Sequence, residues 1–221
     1  MRHIIFCILF WSLAPPAVAG AWPRDVGTLF IAAGGNFLLS DGAELPVYYD
    51  PTIYAEFGVT PRLTLGLDIY TADKGRVAAG FAFASVPLGD LTARTRAAAS
   101  IGYGYRLNDD TSTEALMRLG LSLGRGLDDG WLALDASATF GTRDTVWRPK
   151  VDATWGHNWS DRWTTTFQFQ GGQGIYGDYY LKASPTIILT VSDRIKINLG
   201  AVKAFTGDEG GALKLETWLT F

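Results

Sequence analysis

The stretch Leu213–Phe221 reads LKLETWLTF. Leu213, Leu215, Thr217, Leu219 and Phe221 fall on one side of an extended segment, and Lys214, Glu216, Trp218 and Thr220 on the other, because successive strand side chains point to opposite faces. Chain ends usually fray into polar residues that have little to bury. This one closes on an aromatic side chain in step with an apolar face, so the last strand is expected to need it.

The same period of two recurs along the chain in segments of roughly ten residues, the pattern of a strand between two different environments. In RWTTTFQFQ, Trp163, Thr165, Phe167 and Phe169 oppose Thr164, Thr166, Gln168 and Gln170. RLTLGLDIY sets Leu63, Leu65, Leu67 and Ile69 against Thr64, Gly66, Asp68 and Tyr70, and RIKINLG repeats the scheme. No long helical pattern interrupts them. Three connections share one chemistry: GVTPRLT, NWSDRWT and TVSDRIK each place Thr or Ser, then Pro or Asp, then Arg between apolar strand residues, which suits a type I turn. PLGD and GLDDG add two tight turns, whereas SDGAELP, ADKG, NDDTSTE, TRDTVW, GQGIYGD and TGDEGG are more varied and polar.

Threading strands through both sets predicts about twelve, with about ten as the alternative if Gly- and Ala-rich segments such as 76–87 are not strands. The strands are expected to begin at Val26, Val47, Arg62, Arg76, Leu91, Glu114, Trp131, Arg148, Arg162, Tyr179, Arg194 and Gly211. An even count puts both chain ends on the tight-turn rim, as bacterial membrane barrels require.

The N-terminus fits export. MRHIIFCILFWSLAPPAVAG has a basic start at Arg2, an apolar run from Ile4 to Leu13 and a small-x-small site at Ala17-Val18-Ala19, the order of a secretory signal. Residues 1–19 are thus expected to be a leader, with the mature chain starting at Gly20 or Ala21 and running as one domain to Phe221. Cys7, the single cysteine of the 221 residues, leaves with the leader. A disulfide framework, a thiolate metal site and a cysteine nucleophile are then excluded. A formal net charge of −3 argues against a nucleic-acid partner.

A soluble sandwich and a membrane barrel both alternate, but aromatic girdles separate them. On the apolar parity Phe57, Trp159, Trp163 and Phe221 adjoin the tight turns, and Tyr49, Tyr103, Tyr105, Tyr179 and Phe205 adjoin the varied loops. Two aromatic belts separated by aliphatic residues are what the two interfaces of a bilayer select. The fold expected is a closed, all-β, antiparallel up-and-down barrel. The terminal segment, with Leu215, Thr217 and Leu219 at alternate positions before Phe221, resembles the C-terminal assembly signal of Gram-negative outer-membrane β-barrels. Thr217 and the inward Trp218 depart from its commonest form. YAEFGVTPRLTLG is also similar to a hairpin of small proteobacterial barrels labelled transporters. The resemblance implies residence in the bacterial outer membrane, surrounding lipid and lipopolysaccharide, and recognition of the last strand by the barrel-assembly machinery.

Function then depends on the lumen. Inward parity carries Asp50, Glu56, Asp68, Asp135, Asp152 and Glu216 against Arg94, Arg96, Arg118, Lys150, Lys182, Lys196 and Lys214. Ala78, Gly80, Ala82 and Ala84, with Ser100, Gly102, Gly104, Gly120 and Ser122, are expected to leave space between the charges. One reading is a narrow aqueous passage for small polar or charged solutes, in which walls of charge select the permeant. The other is a structural or adhesive barrel whose charges pair across a filled lumen. A lipid-modifying enzyme needs a nucleophile beside its base; His157 is followed by Ser160 three residues on and falls on the lipid-facing parity, beside Trp155 and Trp159, so no catalytic residue is expected. No cofactor or metal is expected either: GGQG lacks the Lys-Thr of a phosphate loop, and the acidic loops lack calcium-loop spacing.

Overall fold

The computed structural model describes residues 20–39, 48–72, 76–108, 110–143, 145–174, 177–207 and 210–221. The expected leader at 1–19, the SDGAELP connection and the Tyr49 side chain lie outside the described residues. Twelve strands are present among those described: β1 (Leu29–Leu39), β2 (Tyr48–Thr60), β3 (Leu63–Ala72), β4 (Val77–Leu88), β5 (Thr95–Leu107), β6 (Thr113–Leu127), β7 (Gly130–Gly141), β8 (Trp147–Asn158), β9 (Trp163–Gln173), β10 (Tyr179–Ser192), β11 (Ile195–Thr206) and β12 (Gly211–Thr220). Each pairs antiparallel with its chain neighbours, and β12 pairs with β1 to close the barrel. The seam runs from Phe30 opposite Thr220 to Leu39 opposite Gly211. The Phe221 N–H donates to the Leu29 carbonyl at 2.9 Å, and the Leu29 N–H returns to the Phe221 carbonyl at 3.1 Å. Closure leaves no strand edge, so a lipid environment meets no unpaired ladder.

The two faces are inverted relative to a soluble protein. Leu67 and Ile69 on β3, Leu119, Leu121 and Leu123 on β6, and Leu213 and Leu215 on β12 stand exposed on the outside. Inside, Asp50, Glu56, Thr64, Arg106, Glu114, Ser184, Thr186 and Asn198 are buried. So large a ring of aliphatic surface is stable only against acyl chains. Phe57, Trp159, Trp163 and Phe221 are exposed at the tight-turn rim, and Tyr103, Tyr105, Tyr179 and Phe205 at the other.

Three details depart from the sequence-based expectation. The first strand begins at Leu29 rather than at Val26, which instead makes a single bridge to Gly58. The fifth begins at Thr95, because the Asp90 carboxylate accepts the Thr92 N–H and hydroxyl, both at 2.8 Å, and extends the preceding turn. On β4 the inward residues are Val77, Ala79, Phe81 and Phe83; Ala78, Gly80, Ala82 and Ala84 face lipid. Register settles it: Phe81 pairs with Asp68 and Phe83 with Gly66, both lumenal positions of β3. A side chain on Gly66 would overlap the Phe83 ring, so that glycine makes the room the phenylalanine fills.

The lipid face sets a prediction of depth-dependent cost. Leu121 lies near the middle of β6 and is exposed, while Leu127 ends the strand. Leu121→Arg is expected to destabilise the barrel in lipid by about 2–4 kcal/mol, and Leu127→Arg by about 0–1 kcal/mol. Equal urea unfolding midpoints for the two variants in vesicles would contradict this placement. Leu65 is closer to the rim than Leu121, so arginine there costs less than at mid-bilayer.

Candidate functional site

A barrel of twelve strands spaced about 4.8 Å apart and tilted about 40° has a backbone radius of about 12 Å. Inward side chains of ordinary size leave a bore wide enough for one further extended chain. Here that space is partly taken by the residues ahead of β1. The Gly27 N–H donates to the Gly58 carbonyl at 2.8 Å, which turns the chain at the tight-turn rim. The Arg24 N–H then reaches Thr64 Oγ1 at 3.2 Å, and its Nε donates to Glu56 Oε2 at 2.5 Å. The guanidinium also sits 4.1 Å over the Phe30 ring. The Trp22 ring lies against Gly124, where any Cβ would overlap the indole. Gly20 ends beside Asp135 and Ser122, and Ala21 is buried. The segment therefore crosses the lumen from the β2–β3 wall to the β6–β7 wall.

Next to it the charges pair. Arg118 Nη1 reaches across the bore to Asp68 Oδ2 at 2.5 Å and stacks 4.2 Å over Phe81. Tyr54 stacks on Phe83 at 5.7 Å and donates its hydroxyl to Glu56 Oε1 at 2.7 Å. Arg106 and Glu114 form a buried pair at 2.5 Å toward the varied-loop end. Lys150 bonds Asp152 at 2.7 Å; Lys214 lies 3.5 Å from Glu216, which also accepts the Trp218 Nε1–H at 2.7 Å. The wall of β1–β5 is thus packed with aromatic rings and ion pairs.

The opposite wall is polar and looser. Thr154, Thr166, Gln168, Ser184, Thr186 and Asn198 line a cavity of about 140 Å³ that also meets Asp135, Lys214, Glu216, Trp131 and Trp218. Asn198 is 1% exposed and its Oδ1 has no hydrogen-bond partner among the described residues. A larger concavity of about 600 Å³ lies outside, between Leu123, Leu134, Trp155 and Phe169. Lipid tails fill such a surface, so it is not the site.

Of the residues expected in the lumen, Asp50, Glu56, Asp68, Arg96, Arg118, Asp135, Asp152, Lys182, Lys196, Lys214 and Glu216 stand on the inward parity of their strands. Arg94 does not. It sits in the extended turn before β5, its side chain 76% exposed, paired with Asp128 at 3.2 Å. Lys182 lies 5.1 Å over the Tyr180 ring, and neither it nor Lys196 makes an ion pair among the described residues. Leu215, Thr217, Leu219 and Phe221 lie on the outward parity. His157 is also outward, 4.3 Å from Trp159 and 5.9 Å from Trp155 between ring centroids. Ser160 Oγ accepts the Arg162 and Trp163 N–H groups, so it is engaged in the turn rather than aimed at the imidazole.

With this geometry in place, solved structures supply a comparison. The KdgM porin, determined in complex with disordered oligogalacturonate, superposes with a TM-score of 0.62 at 9% identity, covering 88% of this chain and 99% of that one. The NanC porin gives 0.62 at 6% identity over 86% and 98%. The chain has the fold of a small porin. An outer-membrane channel from Pseudomonas putida F1 gives 0.59 at 10% identity over 92% and 99%. No family model and no curated protein matches the sequence.

Within this porin-type barrel, sequence reasoning missed the lumenal role of Trp22, Arg24, Phe81 and Phe83. The WPRD segment carried a signal of its own: a large ring, a proline and paired charges stand just ahead of the first alternating strand, where a plain spacer needs none of them.

Proposed function

We propose that the protein is a narrow channel of the bacterial outer membrane for small polar solutes, with a preference for anions. The observation that carries this is the division of the lumen: a packed wall over β1–β5 and a hydroxyl- and amide-lined wall over β8–β12 enclosing an internal polar cavity. Hydroxyls and amides exchange hydrogen bonds with a passing solute at little net cost, as water does. The paired carboxylates cancel much of the acidic charge, while Lys182 toward one end of the polar wall and Lys196 toward the other have no carboxylate partner among the described residues. Two cations along one path favour anions. The KdgM structure contains oligogalacturonate, a polyanion, and the same class of solute in short form suits this wall. The exposed aliphatic belt and the aromatic girdles at its two rims support outer-membrane residence, with lipopolysaccharide and the assembly machinery as partners.

A planar-bilayer recording tests this. Purified barrel is expected to show discrete conductance steps and a reversal potential on the anion side under a salt gradient. Lys182→Glu with Lys196→Glu should move it toward cations, with a smaller shift at high salt as the charges are screened. A second reading, a structural barrel with a closed lumen, draws on the lumenal segment and the Phe81–Arg118–Asp68 cluster. Folded protein with no conductance above lipid background would select it.

A further inference from the structure

The lumenal segment is seated through the side chains of Arg24, on Glu56 and Phe30, and of Trp22, on Gly124. Gly20 has no side chain, yet its Cα is pressed against a carboxylate. Removal of the leader changes what Gly20 is. Hydrolysis of the Ala19–Gly20 amide by a signal peptidase takes up one water, leaves the carboxylate on the departing leader and frees the Gly20 nitrogen as an amine, protonated at neutral pH. We propose that this α-ammonium is bound inside the barrel by Asp135 and Ser122, so that maturation supplies the anchor that fixes the segment across the lumen. The proposal rests on residues 1–19 being a cleaved leader, and not on the channel reading.

The geometry points there. A Cβ built on Gly20 would overlap Asp135 Oδ1 and lie 2.7 Å from Ser122 Oγ and 3.1 Å from Asp135 Cγ. The Gly20 Cα thus lies against the carboxylate, with no room for a methyl group between them. Nitrogen and a Cβ are bonded to the same tetrahedral Cα at nearly equal lengths, so rotation of about 120° around the Cα–C bond turns the freed nitrogen toward Asp135, and a small shift of the terminus sets it at the ordinary distance of about 2.8 Å for a charge-assisted bond. While Ala19 is attached, the nitrogen is a neutral amide with one N–H and a fixed peptide plane. After cleavage it has three donors and a full charge.

The charges around Asp135 leave an opening for a cation. Asp135 on β7 is the register partner of Asp152 on β8, and Asp152 is bonded by Lys150 through Oδ2. Asp152 Oδ1 is buried without a partner among the described residues. From β6 only the Ser122 hydroxyl and the glycines beside it face this point, and across the cavity Lys214 is engaged with Glu216. Two adjacent carboxylates thus share one close ammonium. A second one on Gly20 balances the set, and a buried carboxylate without a cation is costly.

The test is chemical accessibility of the terminus. Mature protein extracted from outer membranes is first weighed intact; the expected N-terminus is Gly20, and a terminus at Ala21 or beyond overturns the proposal. The α-amine is then labelled near neutral pH with a water-soluble activated ester, and the rate is followed by mass spectrometry of the N-terminal peptide. Folded wild type should label at least about tenfold more slowly than the urea-unfolded chain, corresponding to a protected terminus. Asp135→Asn should bring the folded rate up toward the unfolded one, Ser122→Ala should raise it in part, and Gly20→Ala, whose methyl has no room beside the carboxylate, should release the terminus. Equal rates for folded and unfolded wild type, or no change in any of the folded variants, would overturn it. Because Ser122→Ala and Gly20→Ala leave the lumenal charges intact, they keep the test open if Asp135→Asn fails to fold.

Discussion

Deleting residues 20–25, with residues 1–19 joined to Val26, is expected to raise single-channel conductance several-fold while leaving a folded barrel. The barrel survives because its wall does not depend on the segment: the β1–β12 seam starts at Phe30, and the turn contacts of Gly27 with Gly58 remain. Conductance rises because the deleted residues cross the bore, carrying Trp22 over Gly124 and Arg24 over Phe30. Loss of Arg24 leaves Glu56 with the Tyr54 hydroxyl as its hydrogen-bond donor among the described residues, but water entering the vacated space hydrates the carboxylate, so the stability lost is modest. Trp22→Ala should give a smaller conductance gain, since Arg24 and the backbone stay in place. Conductance unchanged by the full deletion would mean that the bore is closed by the Asp68–Arg118–Phe81 cluster instead. In that case, separating Asp68 from Arg118 would be the next step.

Much of the wall was legible because a membrane barrel applies one rule at every strand. Outward residues must be apolar and inward ones tolerate polarity, so the alternation in RWTTTFQFQ or RIKINLG determines both strand and face. Turn chemistry was equally direct. Five tight turns fell on one rim, since short antiparallel connections draw on few backbone conformations. The rule gave no direction for β4, where AAGFAFA is apolar on both parities. Its facing was decided by pairing with β3, through a vacancy at Gly66 that only Phe83 fills. Arg94 was misplaced by a different cause: the Asp90 carboxylate holds the Thr92 N–H and moves the strand start to Thr95. The lumenal segment was beyond periodicity altogether, because a non-repeating peptide packed in a bore leaves no period to detect. Cross-lumen pairs such as Asp68 with Arg118 were likewise out of reach, as they depend on which strands end up opposite one another.

Removal of Phe221, or its replacement by Asp, is expected to deplete the protein from the outer membrane while export to the periplasm continues. The structure gives the residue two separable tasks. Its backbone makes the last two bonds of the seam, to the N–H and carbonyl of Leu29. Its side chain, 61% exposed on the outward parity, sits where aromatic rings favour the interface between bilayer and water. Phe221→Ala keeps the backbone and loses the ring, whereas deletion loses both. If the ring is the recognised element, both variants should accumulate unassembled; if seam closure matters more, alanine should assemble and deletion should not. Refolding of the purified chains into vesicles, where no assembly machinery is present, distinguishes recognition from stability: a variant that refolds in vesicles but is missing from the outer membrane has lost recognition. Heat-modifiable barrel at wild-type levels in cells carrying the deletion would show that the terminal phenylalanine serves neither task, and that the ten ladder pairs from Phe30–Thr220 to Leu39–Gly211 are enough to close the cylinder.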